Sequence, residues 1–408
     1  MKKMELLAPA GDLEKLKIAV DYGADAVYFG GDSFSLRAGA DNFTLEDMTE
    51  GILYAHNRNV RCYLAVNIFP HNEDIEPLTE YLNEMKTLGL DGLIVSDPGV
   101  IMLAKDIMPE IELHLSTQAN MTNYKTAEFW YQLGIRRLVL ARELSLAEIG
   151  EIRDKMPIEM ELEAFVHGAM CMSYSGRCLL SNFMVGRDAN RGNCAHPCRY
   201  KYALVEEKRP GEYIPIEEDS RGTYILNAND LCMIEYIPKM AEAGISSLKI
   251  EGRMKSIFYV AIVVGAYRKA IDAYYADPVH YRFRPEWMTE LQKASHRLFT
   301  TGFYFHQPSA EGQNFETSNY ARDYTFTGIV KKYDESSGIA LVEQRNKMSL
   351  GETIEVFGPG IEPFEQVLSQ MTDIEGTPLL AAPHPQQMLL IKMDHKVQPN
   401  DMLRKRKE

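Results

Sequence analysis

Short runs of β-branched and leucine-rich residues recur along the first two thirds of the chain, each followed by a stretch with helical periodicity. The runs lie at residues 6–9, 26–29, 61–67, 92–96, 112–116, 137–140, 161–166 and 247–250. Between them, residues 12–22, entered through Ala10 and Gly11, and residues 74–88, followed by Gly89, read as amphipathic helices. The phrases DYGADAVYF, TLGLDGLIV, QLGIRRLVL and EAGISSLKI each place a glycine just past a helix and a few residues ahead of a strand. A helix can end there in a left-handed turn and the chain can enter the sheet. Strands and helices in this alternation predict parallel βα units, and eight strands favour a closed (β/α)8 TIM-like barrel over an open doubly wound sheet.

The rhythm breaks once. From Gly168 to Leu226 no helical pattern follows the seventh strand, and its helix is expected only at 229–242. Loops at the C-terminal ends of barrel strands build active sites, so this insertion, 168–230, is the expected functional segment. The run EGRMKSIFYVAIVVGAYRKAIDAYY completes the eighth unit and closes a barrel domain spanning 1–277. Residues 278–321 contain prolines and read as an irregular connector. From 322 to 408 the pattern changes to TFTGIVKKY, DESSGIALVEQ, GETIEVFGPG and MLLIKMD, short strands with turn signals that predict a small all-β barrel domain.

The chain has 408 residues, 45% of them hydrophobic and 25% charged, with no apolar run of membrane-span length and no signal-peptide pattern in MKKMELLAPAGD. The expectation is a soluble cytoplasmic protein with no membrane partner, a monomer or homodimer. A net charge of −14 speaks against holding nucleic acid by bulk attraction. Arg177, Arg187, Arg191, Arg199 and Lys201 nevertheless make the insertion locally basic, either as solvated side chains or as a surface for phosphate. The terminal LRKRKE reads as a frayed end.

Five of the six cysteines, Cys171, Cys178, Cys194, Cys198 and Cys232, fall in the insertion or at its end. Their neighbours, HGAMCMSYSGRC and RGNCAHPCR, are glycine, serine, arginine and histidine rather than apolar, so metal binding competes well with burial as small hydrophobes. The spacing lacks paired CxxC knuckles and leaves zinc and an iron–sulfur cluster both open. Cys62, alone on the third strand, reads as core.

His167 ends the seventh strand, where catalytic residues of barrels sit, and with Tyr174 and Arg177 it is a candidate for acid–base or anion-binding work. Glu163 shares its parity, so the two should face the lumen together, with Lys249 on the adjacent strand as the natural partner of a buried carboxylate. Glu251 and Arg253 after the eighth strand, and Gln118 and Asn120 after the fifth, are candidate substrate contacts at the same face. FGGDSF and STQANMTN match no Walker or dinucleotide fingerprint, and neither HExxH nor GxSxG occurs.

The segment EAFVHGAMCMSYSGRCLLS resembles the signature of peptidase family U32 at Glu163, Phe165, Gly168, Cys171, Gly176, Cys178 and Ser181. The likeness extends through LLAPAGDLEKLKIAVDYGADAVYFGG, RDANRGNCAHPCRYKY, LNANDLCMIEYIPKM and SLKIEGRMKS into the C-terminal β segment. Within the family the chain looks most like the branch that hydroxylates tRNA. That resemblance implies formation of 5-hydroxyuridine at the wobble position of the tRNA anticodon loop, with prephenate as co-substrate. It also implies a [4Fe–4S] cluster on Cys171, Cys178, Cys194 and Cys232, with zinc as the alternative occupant. The collagenase-like protease reputation of the family implies a competing peptidase activity.

Overall fold

The computed structural model describes residues 3–31, 33–35, 43–170, 180–187, 194–197, 229–306 and 323–407, and the backbone of short strand pairs between 201 and 224. Strand β1 (Glu5–Pro9) opens a cycle that continues α1 (Leu13–Asp21), β2 (Ala26–Phe29), α2 (Leu45–His56), β3 (Arg61–Val66), α3 (Ile75–Met85) and β4 (Gly92–Val95). It then runs α4 (Pro98–Ile107), β5 (Glu112–Leu115), α5 (Tyr124–Gln132), β6 (Arg137–Val139), α6 (Leu146–Lys155) and β7 (Glu161–Ala169). After α7 (Leu180–Val185) come β8 (Asp230–Cys232), α8 (Ile237–Glu242), β9 (Ser247–Ile250) and α9 (Ile257–Ala276). Strand β9 pairs in parallel with both β7 and β1, Ser247 lying opposite Glu163 on one side and Glu5 on the other, so the sheet closes into the eight-stranded barrel predicted from the pattern.

Local signals hold the helices where the periodicity puts them. Asp12 accepts the Lys15 amide at 2.8 Å as the N-cap of α1, and Thr44 and Asp47 form a reciprocal capping box on α2. Gly23 and Gly89, with φ of 100° and 72°, turn the chain from helix towards strand in the left-handed region. Helix α9 is apolar on nearly every face because it is packed between the barrel and the C-terminal sheet, where Phe258 stacks on Phe326 at 5.4 Å. No helix among the described residues is long and apolar enough to cross a membrane.

Three segments differ from their sequence expectation. The helix expected over 229–242 begins only at Ile237; Asp230–Cys232 is instead β8, antiparallel to the end of β7 with Cys232 opposite His167. It pairs with β7 on one side, while the Asp230 amide donates to the Leu298 carbonyl at 2.9 Å on the other, partners no local periodicity can reveal. The expected connector carries α10 (Pro285–Lys293) and β10 (Phe299–Thr300), the latter pairing with β8. The basic terminus is not frayed. Met402–Arg406 is an interior strand of a seven-stranded antiparallel sheet running Ile361–Val367, Thr353–Gly358, Met402–Arg406, Tyr324–Asp334, Ile339–Gln344, Met388–Lys392, Met371–Thr372. Arg404 is fully buried there, its guanidinium shared between Glu290 of α10 and Glu355.

Candidate active site at the barrel mouth

The lower lumen is charged. Arg137 on β6 reaches Glu5 on β1 at 2.6 Å, Glu161 at 2.5 Å and Glu163 on β7 at 3.3 Å, while Lys249 on β9 meets Glu163 at 2.7 Å. Tyr63 and Ser247 each donate a hydroxyl to Glu5, at 2.9 and 2.8 Å. Contact between strands that are not neighbours in the sheet requires the lumen, so these side chains face inward. Burial raises the Glu163 carboxyl, but the Lys249 ammonium and the Arg137 guanidinium outweigh it and bring the group below its ordinary value. Fully buried His114, 4.5 Å from the Tyr63 ring, is lowered by burial and stays neutral. Each buried charge therefore has a counter-charge, as desolvation requires.

Above this layer, at the C-terminal ends of the strands, lies the mouth. The Lys249 ammonium sits 4.3 Å from the Tyr28 ring centre and 5.7 Å from that of Phe165, and the Arg142 guanidinium also lies over Phe165, at 3.9 Å. Arg142 also donates to the Ala169 carbonyl at 2.9 Å, at the end of β7. Arg253 donates to Ser35 at 3.1 Å, and its guanidinium occupies the space beside Gly30 where a Cβ would stand 2.4 Å away. Gln118 and Asn120 follow β5; Asn120, at φ 51°, donates its amide to the Gln118 carbonyl at 3.1 Å. Asn67, Ser96 and Ser116 complete a polar rim, linked by hydrogen bonds of 3.1 and 3.3 Å.

His167 does not face this lumen. Val166 is an extra residue in β7, since Lys249 pairs with Phe165 and the next β9 residue, Ile250, with His167. That bulge inverts the alternation that parity assumed. The His167 ring lies among Tyr267 and Tyr259 of α9 and Phe299, at 5.5, 6.0 and 5.5 Å. Burial, with Lys255 and His296 nearby, holds it down to about 3, so the ring is neutral. Tyr267 joins it to the cysteine end of the insertion: the hydroxyl lies 3.5 Å from His167 Nδ1 and 4.0 Å from Cys232 Sγ. Glu251 is positioned by its backbone, its amide donating to the His167 carbonyl at 2.9 Å and its carbonyl accepting from Tyr259 at 2.9 Å.

Of the candidate metal ligands, Cys232 is buried at the end of β8, and burial pushes its thiol up to about 12. Cys194 is half-buried, and its sulfur accepts the His196 amide at 3.4 Å. Cys171, Cys178, Cys198, Tyr174 and Arg177 lie outside the described residues. Cys62 is core, as its isolation implied.

Sequence reasoning thus singled out Glu163, Lys249, Gln118, Asn120, Glu251 and Arg253, and the structure sets them at or below one mouth. It missed Arg142, Arg137 and Glu5. The available signal was a charge inside an apolar strand, RRLVL and MELLAP, and an arginine just after a strand in ARE.

Residues 11–314 match peptidase family U32 and residues 322–404 match the peptidase family U32 C-terminal domain. The chain is 46% identical over 406 residues to the tRNA hydroxylation protein P1 of Bacillus subtilis, covering 100% of this chain and 96% of that one. It is 39% identical to the tRNA hydroxylation protein P of Escherichia coli, covering 88% and 87%. It is also 32% identical to a collagenase of Porphyromonas gingivalis, covering 98% and 97%.

Proposed function

The chain belongs to peptidase family U32, and from that premise we propose that it is a tRNA-modifying enzyme that hydroxylates C5 of the wobble uridine. The observation that carries this reading is the 46% identity with a tRNA hydroxylation protein along the entire chain. The mouth is compatible with it. An anticodon loop presents unpaired bases, so little unstacking energy is needed for one to enter a barrel mouth. Tyr28 and Phe165 offer aromatic walls, and Arg142 and Arg253 offer cations for an anionic co-substrate, for which prephenate is the proposed identity.

Cys171, Cys178, Cys194 and Cys232 would hold a [4Fe–4S] cluster, with zinc the alternative. The two described members suit such a group: soft sulfur donors, one receiving a backbone amide and the other buried beside β7. When bound, a cluster of this kind supplies electron transfer. The protein's own residues bind and orient: the basic stretch from Arg187 to Lys201 would take the RNA backbone, and the lumen network would hold the mouth rigid.

The test is iron and sulfide content of protein purified without oxygen, together with mass analysis of tRNA before and after reaction. The expected result is about four irons per chain, lost in Cys171→Ala and Cys232→Ala, and a gain of one oxygen on the wobble uridine only with intact cluster and prephenate. Colourless zinc protein that leaves tRNA unchanged would overturn the reading. The full-length likeness to a collagenase favours a second reading, peptide hydrolysis. Gelatin cleavage that survives loss of the cysteines would speak for it.

A further inference from the structure

Two fully buried arginines among the described residues show how this molecule stabilises an enclosed guanidinium. Arg137 meets Glu5, Glu161 and Glu163, and Arg404 meets Glu290 and Glu355. Among the described residues no carboxylate lies within ion-pair distance of Arg142, and its Nε is buried without a hydrogen-bond acceptor. Its guanidinium is nevertheless held in place, stacked 3.9 Å from the Phe165 ring centre and bonded through Nη1 to the Ala169 carbonyl. A guanidinium fixed in this way, with its Nε edge unsatisfied, is organised for an oxyanion that arrives from outside.

The loop beside it has the opposite deficit. Thr117 donates its hydroxyl to the Leu140 carbonyl at 3.1 Å, and the Ala141 amide donates to the Met121 carbonyl at 3.3 Å, so the segments after β5 and β6 are tied together. On the β5 segment, Gln118 Oε1 and Asn120 Oδ1 are buried acceptors without donors, Gln118 being only 8% exposed. A buried acceptor without a donor is unfavourable, and two on one loop indicate a ligand that brings hydrogen-bond donors.

We propose that Arg142 with Gln118 and Asn120 forms the binding site for a small hydroxy-carboxylic acid, its carboxylate on the Nε edge of Arg142 and its hydroxyl donating to an amide oxygen. A phosphodiester satisfies the cation but has no donor for the amides, which is why a free acid fits better than an RNA phosphate. The assignment rests on the reading that a small organic acid serves as co-substrate.

Calorimetric titration of the full chain with prephenate as the hydroxy-acid probe, with dimethyl phosphate and tRNA in parallel, tests it. Arg142→Gln should weaken prephenate binding at least about tenfold, Arg142→Lys less, with tRNA affinity unchanged within a factor of about two. Gln118→Met, which keeps Arg142 in place, should weaken prephenate binding but leave dimethyl phosphate binding unaltered. Wild-type prephenate affinity in both Arg142→Gln and Gln118→Met overturns the proposal, as does loss of tRNA binding in Arg142→Gln with prephenate binding intact. Wild-type protein that binds prephenate through Arg142 but hydroxylates no tRNA would defeat the functional reading and leave this site standing.

Discussion

The Lys249 ammonium lies 2.7 Å from the Glu163 carboxylate, and both side chains are buried inside the barrel. The pair joins β7 to β9, the two strands whose contact closes the sheet, and Arg137 brings β6 and β1 into the same network. A network of this kind holds its members in one arrangement, because each charge is stable only while its counter-charge stays in place.

Removing two partners together should therefore cost less than the two separate removals added. Glu163→Gln should lower the unfolding free energy by about 3–5 kcal/mol, since it leaves Lys249 and part of Arg137 uncompensated. Glu163→Gln combined with Lys249→Met should cost less than the sum of the single changes. Urea unfolding of the two single variants and the double variant measures the coupling; strict additivity would show that the pair does not act as a unit.

Arg253 can be displaced without touching it. A Cβ at Gly30 would stand 2.4 Å from Arg253 Nη2 and 2.4 Å from Ser35 Oγ, so Gly30→Ala should push the guanidinium out of its position over β2. The expected outcome is a modest stability loss, about 1 kcal/mol, with a large rise in KM for the anionic co-substrate. An unchanged KM in a folded variant would remove Arg253 from the site.

In the C-terminal sheet, Asp401 is buried, with one carboxylate oxygen accepting the Gln398 amide at 2.8 Å and the other unpartnered. Burial raises its carboxyl from 3.8 to about 6. The fold therefore prefers the protonated acid. The destabilisation is full above about pH 6 and disappears as pH falls towards 4. Asp401→Asn, which retains an acceptor for Gln398, should be more stable than wild type at pH 8 by up to about 3 kcal/mol and nearly equal to it at pH 4. Unfolding curves at the two pH values decide this, and a difference independent of pH would contradict it.

How much of the site was legible follows from which interactions are local. Gln118, Asn120, Glu251 and Arg253 were recognisable because a polar residue just after an apolar run in a barrel sits at the catalytic face. Glu163 and Lys249 were recognisable as a pair because adjacent strands and parity put them on one side. The same parity misplaced His167, since a bulge at Val166 depends on hydrogen bonding to β9 and on the Tyr267 hydroxyl that takes the Val166 carbonyl at 2.7 Å. Arg142 carried no signal beyond its position, because its significance lies in having no carboxylate at ion-pair distance among the described residues, and that is a statement about neighbours from other strands.

Periodicity, the glycines that end helices and the length of each apolar run were sufficient to determine the barrel, its eight strands and the change to antiparallel β structure near residue 322. Those are short-range properties, set by backbone geometry and by which face of each element is apolar. Tertiary structure alone decided that Asp230–Cys232 is a strand, that the basic tail is interior, that His167 turns to α9 and that Arg142 Nε and the amide oxygens of Gln118 and Asn120 are buried without hydrogen-bond partners. Each of these depends on which distant group supplies a hydrogen bond, a counter-charge or a packing surface. Those partners come together only when the chain has closed on itself.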